Sequence, residues 1–290
     1  MTTEQQIGVS PHRVGGRDRV TGDQQYLADL PFEDELFVKL VTVPCGRARL
    51  IGIDKSKAQA VPGVELVMSA DDLPQPVPRF GPHFEDRPVL AVGETKFHGE
   101  PVVAVAAETK DAAEEAARLV AIEYEELPGV YNVDQALADD APLVREPELR
   151  SDDDPYRESN VLTTRVFGWG DVDEAEADVV IDERYSFPMI THFAIEPHAF
   201  AAAPVEDGIA IWSTIQHPYL LQKLMARILD LPLAKVRVYA PDPGGGFGGK
   251  QNIKLEPLVA FMALETGRPV RLVLTLDESF QANRRTAAQI

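Results

Sequence analysis

The sequence is poor in cysteine and in long apolar runs, and each shortage excludes a class of protein. Its 290 residues include one cysteine, Cys45, so the chain alone cannot form a disulfide, a four-cysteine zinc site or an iron–sulfur cluster. No apolar run approaches the roughly 18 residues that span a bilayer. The opening MTTEQQIGVS lacks the basic and apolar regions of a signal peptide. We therefore expect a cytoplasmic protein without a membrane partner.

Basic residues are also scarce. The chain has 28 Lys and Arg against 47 Asp and Glu, a formal net charge of −19. Such a chain repels a nucleic-acid backbone, so we expect no DNA or RNA partner. Hydrophobic residues at 44% and charged residues at 26% are close to the average of globular proteins. The length then predicts about two folded domains.

Local patterns divide the chain into four regions. A polar stretch opens the chain, and a segment dense in Asp and Pro, with the composition of a linker, follows the first block of helix and strand patterns. The predicted regions are an N-terminal arm (1–25), a first domain (26–135), an acidic, proline-rich linker (136–160) and a second domain (161–290).

The first domain contains strand and helix patterns in alternation. A strand is predicted from Leu36 to Val43, and a β-rich segment starts at Pro101. A helix from Asp111 to Val120 follows, with Thr109 placed to cap its free N–H groups, and then the alternating strand AIEYEE. This order predicts a βαβ-like unit.

The second domain is predicted to build a sheet covered by helices. Pro218 suits the first turn of a helix whose apolar stripe ends before Pro232. A second helix is predicted from Leu258 to Leu264. The predicted strands are Val179–Ile181, Tyr185–Phe187, Ala199–Ala203, Gly208–Trp212, Val236–Val238 and Val270–Thr275.

The strongest local motif is GGGFGGK, Gly244–Lys250, which is termed the glycine loop. Five glycines around one phenylalanine permit positive φ angles and let an anion approach the backbone N–H groups. The letters fit the P-loop pattern GxxxxGK, but Gln251 stands where a P-loop needs Ser or Thr for magnesium. They also fit GxGxxG, but no acid follows at the ribose position about 20 residues on. A glycine-rich turn without a ligand is the remaining alternative.

Two further motifs carry polar side chains. THFAIEPHAF places His192, Glu196 and His198 at even spacing, which on a strand would put all three on one face. A metal site is thus an alternative, although the spacing is not that of a helical HExxH site and such histidines are more often structural. In IWSTIQHPYL, Gln216 precedes a helix start, and its amide can both donate and accept hydrogen bonds.

Taken in order, these segments resemble the molybdenum-binding large subunit of the xanthine oxidase and aldehyde oxidase family, over nearly the whole chain. RVGGRDRVTGDQQYLADL, PCGRARLIGIDKSKAQAVPGVELVMSADDLP and KFHGEPVVAVAAETKDAAEEAARLVAIEYEELPGV resemble its α/β hammerhead domain. GWGDVDEAEADVVIDERYSFPMITHFAIEPHAFAA, WSTIQHP and GGGFGGK resemble the start of its first molybdopterin-binding domain. The resemblance implies an α/β (α+β) fold, with the hammerhead domain at 26–135 and part of the molybdopterin-binding domain at 161–290.

The resemblance also implies an activity and its cofactors. Members hydroxylate an aldehyde or an N-heteroaromatic ring with oxygen from water and pass two electrons to iron–sulfur and flavin centres. We therefore expect molybdopterin with molybdenum, in its cytosine dinucleotide form, and partner subunits that carry iron–sulfur clusters and FAD.

Site residues are carried over by position. Gln216 matches the glutamine that hydrogen-bonds an oxygen or sulfur ligand of molybdenum, and Phe247 matches the residue whose backbone N–H faces that site. The resemblance places Glu196 behind the residues that contact the cofactor. It implies that no residue of the chain ligates the metal directly. The implied cofactor-binding residues are Gln216, Gly245, Gly246, Phe247, Gly248 and Gly249.

The sequence departs from the family in two respects. Gln251 lies in the implied substrate pocket, where purine-oxidising members carry a glutamate, so xanthine is not the expected substrate. No GxGE-like segment with the family's catalytic glutamate is present, so we expect no catalytic base in this chain. The resemblance therefore implies a split subunit or an incomplete chain. A second fragment of the molybdopterin subunit is an expected partner, because nicotinate-type dehydrogenases divide this subunit in two. The alternative from another class is an inactive scaffold or interaction subunit with a relic glycine loop.

Overall fold

The computed structural model describes residues 8–81, 84–171, 176–282 and 286–289. Residues 1–7 of the predicted arm, and 172–175, 283–285 and 290 of the predicted second domain, lie outside the described residues. The strands are β1 (Leu36–Val41), β2 (Ala48–Asp54), β3 (Val64–Ser69), β4 (Arg79–Phe80), β5 (Arg87–Pro88), β6 (Glu94–Thr95), β7 (Val103–Ala107), β8 (Ala121–Glu126), β9 (Ser186–Ile190), β10 (Ala199–Val205), β11 (Gly208–Ser213), β12 (Val236–Tyr239), β13 (Val270–Val273) and β14 (Thr286–Gln289). The α-helices are α1 (Gly16–Thr21), α2 (Ser56–Gln59), α3 (Lys110–Leu119), α4 (Val133–Ala136), α5 (Pro218–Ile228), α6 (Glu256–Thr266) and α7 (Leu276–Ala282).

The largest sheet of the described residues has seven strands, in the order β12-β11-β10-β13-β1-β7-β3. β13 lies in its middle, antiparallel to β10 and parallel to β1, with Leu36 opposite Val270. Strands from both sides of the predicted linker therefore share one sheet. The domain boundaries drawn from the sequence stay a prediction.

β8 lies in a different sheet from β7. It pairs antiparallel with β2 in a three-stranded sheet of order β6-β2-β8, whereas β7 pairs with β1 and β3. The predicted βαβ-like unit is therefore wrong, because strand pairing depends on partners that the local pattern does not contain. The helix between these strands is confirmed as α3. Thr109 caps it by accepting a hydrogen bond from the Ala112 N–H at 3.1 Å.

Helices α5 and α6 pack with the large sheet in one hydrophobic core. α5 starts with Pro218, as predicted, and buries Leu221 and Met225. α6 is buried along most of its length, including Leu258 and Met262. Burial of each such side chain contributes about 1.5–3 kcal/mol, so this core fixes the ends of the strands that lead into the helices. No helix in the described ranges is long and apolar enough to cross a membrane.

The segment before β10 is exposed and largely irregular. The predicted strand Val179–Ile181 is wrong: these residues pair with no strand in the described part of the chain, and Val180 is 82% exposed. The prediction for Tyr185–Phe187 is partly confirmed, because β9 begins at Ser186 and pairs antiparallel with β14. Trp169, at 91% exposure, is another large apolar side chain that this chain leaves uncovered.

Candidate functional site

Three of the predicted site segments meet at one edge of the seven-stranded sheet. β11 and β12 are parallel neighbours, so their carboxyl ends reach the same edge. The loop after β11 carries Gln216, and the loop after β12 carries the glycine loop. β10 is antiparallel to β11 and starts at this edge, which brings the preceding Glu196 there as well. Ligands of open α/β sheets bind outside the carboxyl ends of strands.

The backbone of the glycine loop is left-handed at three positions. The φ angles are 111° at Gly245, 49° at Phe247 and 90° at Gly248. Glycine adopts such angles readily, whereas a residue with a Cβ is strained there by roughly 1–3 kcal/mol. The Phe247 ring is 72% exposed, so its burial within this chain does not offset the strain. Strained backbone of this kind is concentrated at ligand sites.

Gln216 lies against the glycine loop. Its backbone N–H donates to the Lys250 carbonyl at 2.7 Å. A methyl group added at Gly246 would lie 2.7 Å from the Gln216 Cδ and 2.8 Å from its Oε1. Gly246 is buried and Gln216 is exposed. The structure thus brings these two predicted residues into contact and leaves the glutamine amide accessible to a ligand.

The Glu196 carboxylate joins the two ends of the glycine loop. Its Oε2 accepts hydrogen bonds from the Gly244 N–H and from the Lys250 Nζ, both at 2.7 Å. The Lys250 side chain is 1% exposed and that of Glu196 is 11% exposed. Burial lowers the pKa of Lys250, and the hydrogen bond and charge of Glu196 partly offset this effect. The ion pair therefore fixes the separation of the loop ends.

The alternative of a metal site at the histidines is not supported. Residues 191–198 contain no strand, so their even spacing does not place His192, Glu196 and His198 on one strand face. Within the described ranges, no group of three His, Cys, Asp or Glu residues is placed to hold a metal ion. His192 instead borders the loop, with its Nε2 3.6 Å from the position of a methyl group at Gly248.

The nucleotide alternatives conflict with the position of Lys250. Its ammonium group is buried against Glu196 instead of facing the interior of the loop as a phosphate-binding lysine would. Helix α6 begins only at Glu256, beyond the end of the loop. The loop residues therefore do not form the helix N-terminus on which P-loop and dinucleotide sites depend.

Several polar groups around the glycine loop have no hydrogen-bond partner among the described residues. The backbone N–H groups of Phe247 and Gly248 donate to no other group in the part of the chain that the structure describes. Two buried side-chain atoms, Glu196 Oε1 and His192 Nδ1, also lack a hydrogen-bond partner there. Buried polar atoms are normally satisfied, so these two unpaired atoms beside the loop are unusual. Uncovered backbone N–H groups in such a turn suit an anion.

Sequence reasoning missed the buried polar groups beneath the loop. The Lys254 Nζ donates to the Gly249 carbonyl at 2.6 Å, and a Glu256 Oε1 accepts from the Ser213 Oγ at 2.7 Å. IKLEPL does place two charged residues among apolar ones at a helix start. The contact of Glu256 with Ser213 of β11 joins residues that are distant in sequence, so a local sequence pattern could not predict it.

Two family models match the chain. The model described as "Molybdopterin cofactor-binding domain" matches residues 154–290, and "Aldehyde oxidase and xanthine dehydrogenase, a/b hammerhead domain" matches residues 21–128. The chain belongs to the xanthine dehydrogenase and aldehyde oxidase family. This result confirms the resemblance and the α/β (α+β) fold class that the sequence predicts.

Relatives of this xanthine dehydrogenase family member are longer than the chain. A probable xanthine dehydrogenase component of Bacillus subtilis (strain 168) is 33% identical over 273 residues, which cover 93% of this chain and 35% of that protein. "Nicotinate dehydrogenase large molybdopterin subunit" of Eubacterium barkeri is 31% identical over 95% of this chain and 63% of its own length. Quinoline 2-oxidoreductase from Pseudomonas putida 86 has a similar structure, with a TM-score of 0.85 and 30% identity over 97% of this chain and 36% of that one.

The groups around the glycine loop fit molybdopterin. Phosphate oxygens of the cofactor and oxygen ligands of its metal accept hydrogen bonds, as the uncovered N–H groups of Phe247 and Gly248 require. The site thus has donors for the anionic parts of the cofactor.

Proposed function

We propose that this chain forms one side of the molybdopterin site in a molybdenum-dependent hydroxylase or dehydrogenase. The contact between Gln216 and Gly246, beside the uncovered N–H of Phe247, carries the proposal. The relatives support a redox reaction, since they are named xanthine dehydrogenase, nicotinate dehydrogenase and quinoline 2-oxidoreductase. The proposed substrate is an aldehyde or an N-heteroaromatic compound, hydroxylated with oxygen from water. These relatives do not favour the inactive-scaffold alternative.

Gln216 and residues of the glycine loop are proposed to contact the cofactor directly. With the cofactor bound, the Gln216 amide would donate a hydrogen bond to an oxygen or sulfur ligand of the metal, and the Phe247 N–H would donate toward the same centre. When bound, the cofactor supplies the two-electron redox centre. The glycines keep side chains out of its path, so that it can approach the backbone. They are Gly245, Gly246, Gly248 and Gly249.

Glu196 and Gln251 act at a greater distance from the metal. Glu196 holds the loop ends together through Gly244 and Lys250. Gln251 is exposed, and its Cδ is 4.0 Å from the position of a methyl group at Gly248. We assign it to the substrate pocket, where its neutral amide disfavours xanthine. The catalytic base is assigned to another polypeptide or segment, because no GxGE-like segment occurs in these 290 residues.

The proposal includes partner subunits and the form of the cofactor. Cys45 is the single cysteine and cannot hold an iron–sulfur cluster. We propose iron–sulfur and FAD subunits as the partners that receive the electrons. The exposed apolar residues Trp169 and Val180 suit contact with a second molybdopterin-subunit fragment.

We propose the cytosine dinucleotide form of molybdopterin. Domain boundaries near 25, 135 and 160 and a cytoplasmic location complete the proposal and can be checked by limited proteolysis and cell fractionation.

The test compares the chain purified alone with the complex that co-purifies with it. We expect the complex to contain molybdenum, measured by mass spectrometry, and to reduce an electron acceptor with nicotinate or an aldehyde as substrate. The chain alone, supplied with cofactor, is expected to show no turnover because catalysis requires a positioned base. A complex without molybdenum, or turnover by the isolated chain, would contradict the proposal.

A further inference from the structure

A buried polar cluster lies directly beneath the glycine loop. It consists of Ser213, Lys254 and Glu256, which are 1%, 5% and 1% exposed. One Glu256 oxygen accepts from the Ser213 Oγ at 2.7 Å, and the other accepts from the backbone N–H of Lys254 at 2.6 Å. Arg87 of β5 is near enough for its charge to interact with Glu256. The cluster thus gathers charged groups inside the hydrophobic core.

Two contacts of this cluster lead to segments that carry predicted cofactor-binding residues. The Lys254 Nζ donates to the Gly249 carbonyl at 2.6 Å. The Ser213 Oγ accepts from the Ile215 N–H at 3.1 Å, one residue before Gln216. Hydrogen bonds through Glu256 and Lys254 therefore connect the Gln216 segment with the glycine loop from below.

The first turn of α6 does not need these charges for packing. Pro257, Leu258, Val259 and Ala260 follow Glu256 and are all buried, so an apolar residue would suit the same surroundings. Burying charged groups costs free energy, and apolar replacements of buried ionic groups are often neutral or stabilising. Capping of the helix would account for Glu256 alone. It would leave the contact of Lys254 with Gly249 unexplained.

We infer that Lys254 and Glu256 are positioning residues that hold the glycine loop and Gln216 at a fixed separation for the cofactor. This inference rests on the proposed function. Neither side chain is assigned a contact with the cofactor or the substrate. Lys254 acts through the Gly249 carbonyl, and Glu256 acts through Ser213, whose Oγ accepts from the Ile215 N–H next to Gln216.

The first measurement is amide hydrogen exchange in the full 290-residue chain, without cofactor. Lys254→Met removes the ammonium group but keeps most of the side-chain volume. We expect exchange at the Gly249, Ile215 and Gln216 amides to become faster by on the order of tenfold or more, as loss of a hydrogen bond to a charged group implies. Lys254→Arg, which retains a cation, is expected to restore part of the protection.

The matched control is Arg150→Met. Arg150 is also a buried cation, at 4% exposure, and donates to the Val161 carbonyl at 2.6 Å and to Asp154 at 2.9 Å. It should lower the melting temperature without changing exchange in the glycine loop. Equal effects of the two methionine variants on the loop, or no effect of Lys254→Met, would overturn the inference.

The second measurement is the molybdenum content and the electron paramagnetic resonance spectrum of the purified complex. Glu256→Gln keeps the shape of the side chain. It tests the positioning role in case Lys254→Met does not fold. We expect it to lower molybdenum content and to alter the spectrum, whereas unchanged content, spectrum and loop exchange would overturn the inference. A wild-type complex without molybdenum would instead contradict the proposed function. The two failures are therefore distinguishable.

Discussion

The outer face and the underside of the glycine loop are built from different chemistry. On the outer face, Phe247 and Gln216 are exposed, and the proposed ligand-binding groups are backbone N–H groups and an amide. On the underside, Lys250, Lys254 and Glu256 are at most 5% exposed. Charges in such a position are costly when they lose their partners. We therefore expect changes beneath the loop to reduce stability, and changes on its outer face to reduce cofactor binding or turnover.

Glu196→Ala is expected to have the largest effect. It leaves the buried Lys250 ammonium without its partner, and breaking a buried ion pair in this way costs about 3–5 kcal/mol. Urea denaturation followed by circular dichroism measures the free energy of unfolding. Glu206→Ala, at an exposed position, serves as the control and should change it by less than about 0.5 kcal/mol. Equal stability of the two variants would remove the distinction between underside and outer face.

Gly248→Val is expected to have an intermediate effect on stability and a strong one on the cofactor. The φ angle of 90° implies a strain of roughly 1–3 kcal/mol, while the nearest contact of a Cβ, His192 at 3.6 Å, is ordinary. Molybdenum content of the complex should fall sharply. Gly93→Val is the control, because Gly93 has a φ of 65° and open space around it. The Gly93→Val variant should have a strained backbone but retain molybdenum. Full molybdenum content and activity in the Gly248 variant would identify the loop as a structural turn.

Gln216→Ala is expected to have the smallest effect on stability, within about 0.5 kcal/mol, because the side chain is exposed. The complex should keep its molybdenum. Loss of one hydrogen bond of about 0.5–1.5 kcal/mol should lower kcat roughly two- to tenfold. Turnover at saturating substrate and metal analysis of the same preparation check this result. Loss of the metal would instead make Gln216 a residue required for cofactor retention.

Much of the fold could be predicted because the relevant signals are local. The helix stripe after Pro218, the Thr109 cap and the strands β10 and β11 are confirmed. Such patterns depend on neighbours within one or two turns or along one strand. The pairing of β8 with β2, and the absence of a strand at Val179–Ile181, depend on partners distant in sequence. Local patterns could not predict them.

The same distinction applies to the candidate site. The positive φ angles of Gly245 and Gly248 agree with what a glycine run predicts. The pairing of Glu196 with Lys250, residues 54 positions apart in the chain, depends on the start of β10 and the end of β12 lying at one sheet edge. The contact between Glu256 and Ser213 likewise depends on how α6 packs against β11. The roles of the site residues remain predictions.

The position of β13 has a consequence for the order in which the protein folds. β13 lies between β1 and β10, so the two halves of the large sheet cannot be joined until residues 270–273 have been synthesised. Until then, β1 has β7 on one side and an unpaired edge on the other. Unpaired edge strands promote association with other chains, and long-range pairing is slow. A nascent or truncated chain that ends before β13 is therefore expected to aggregate or to require a chaperone.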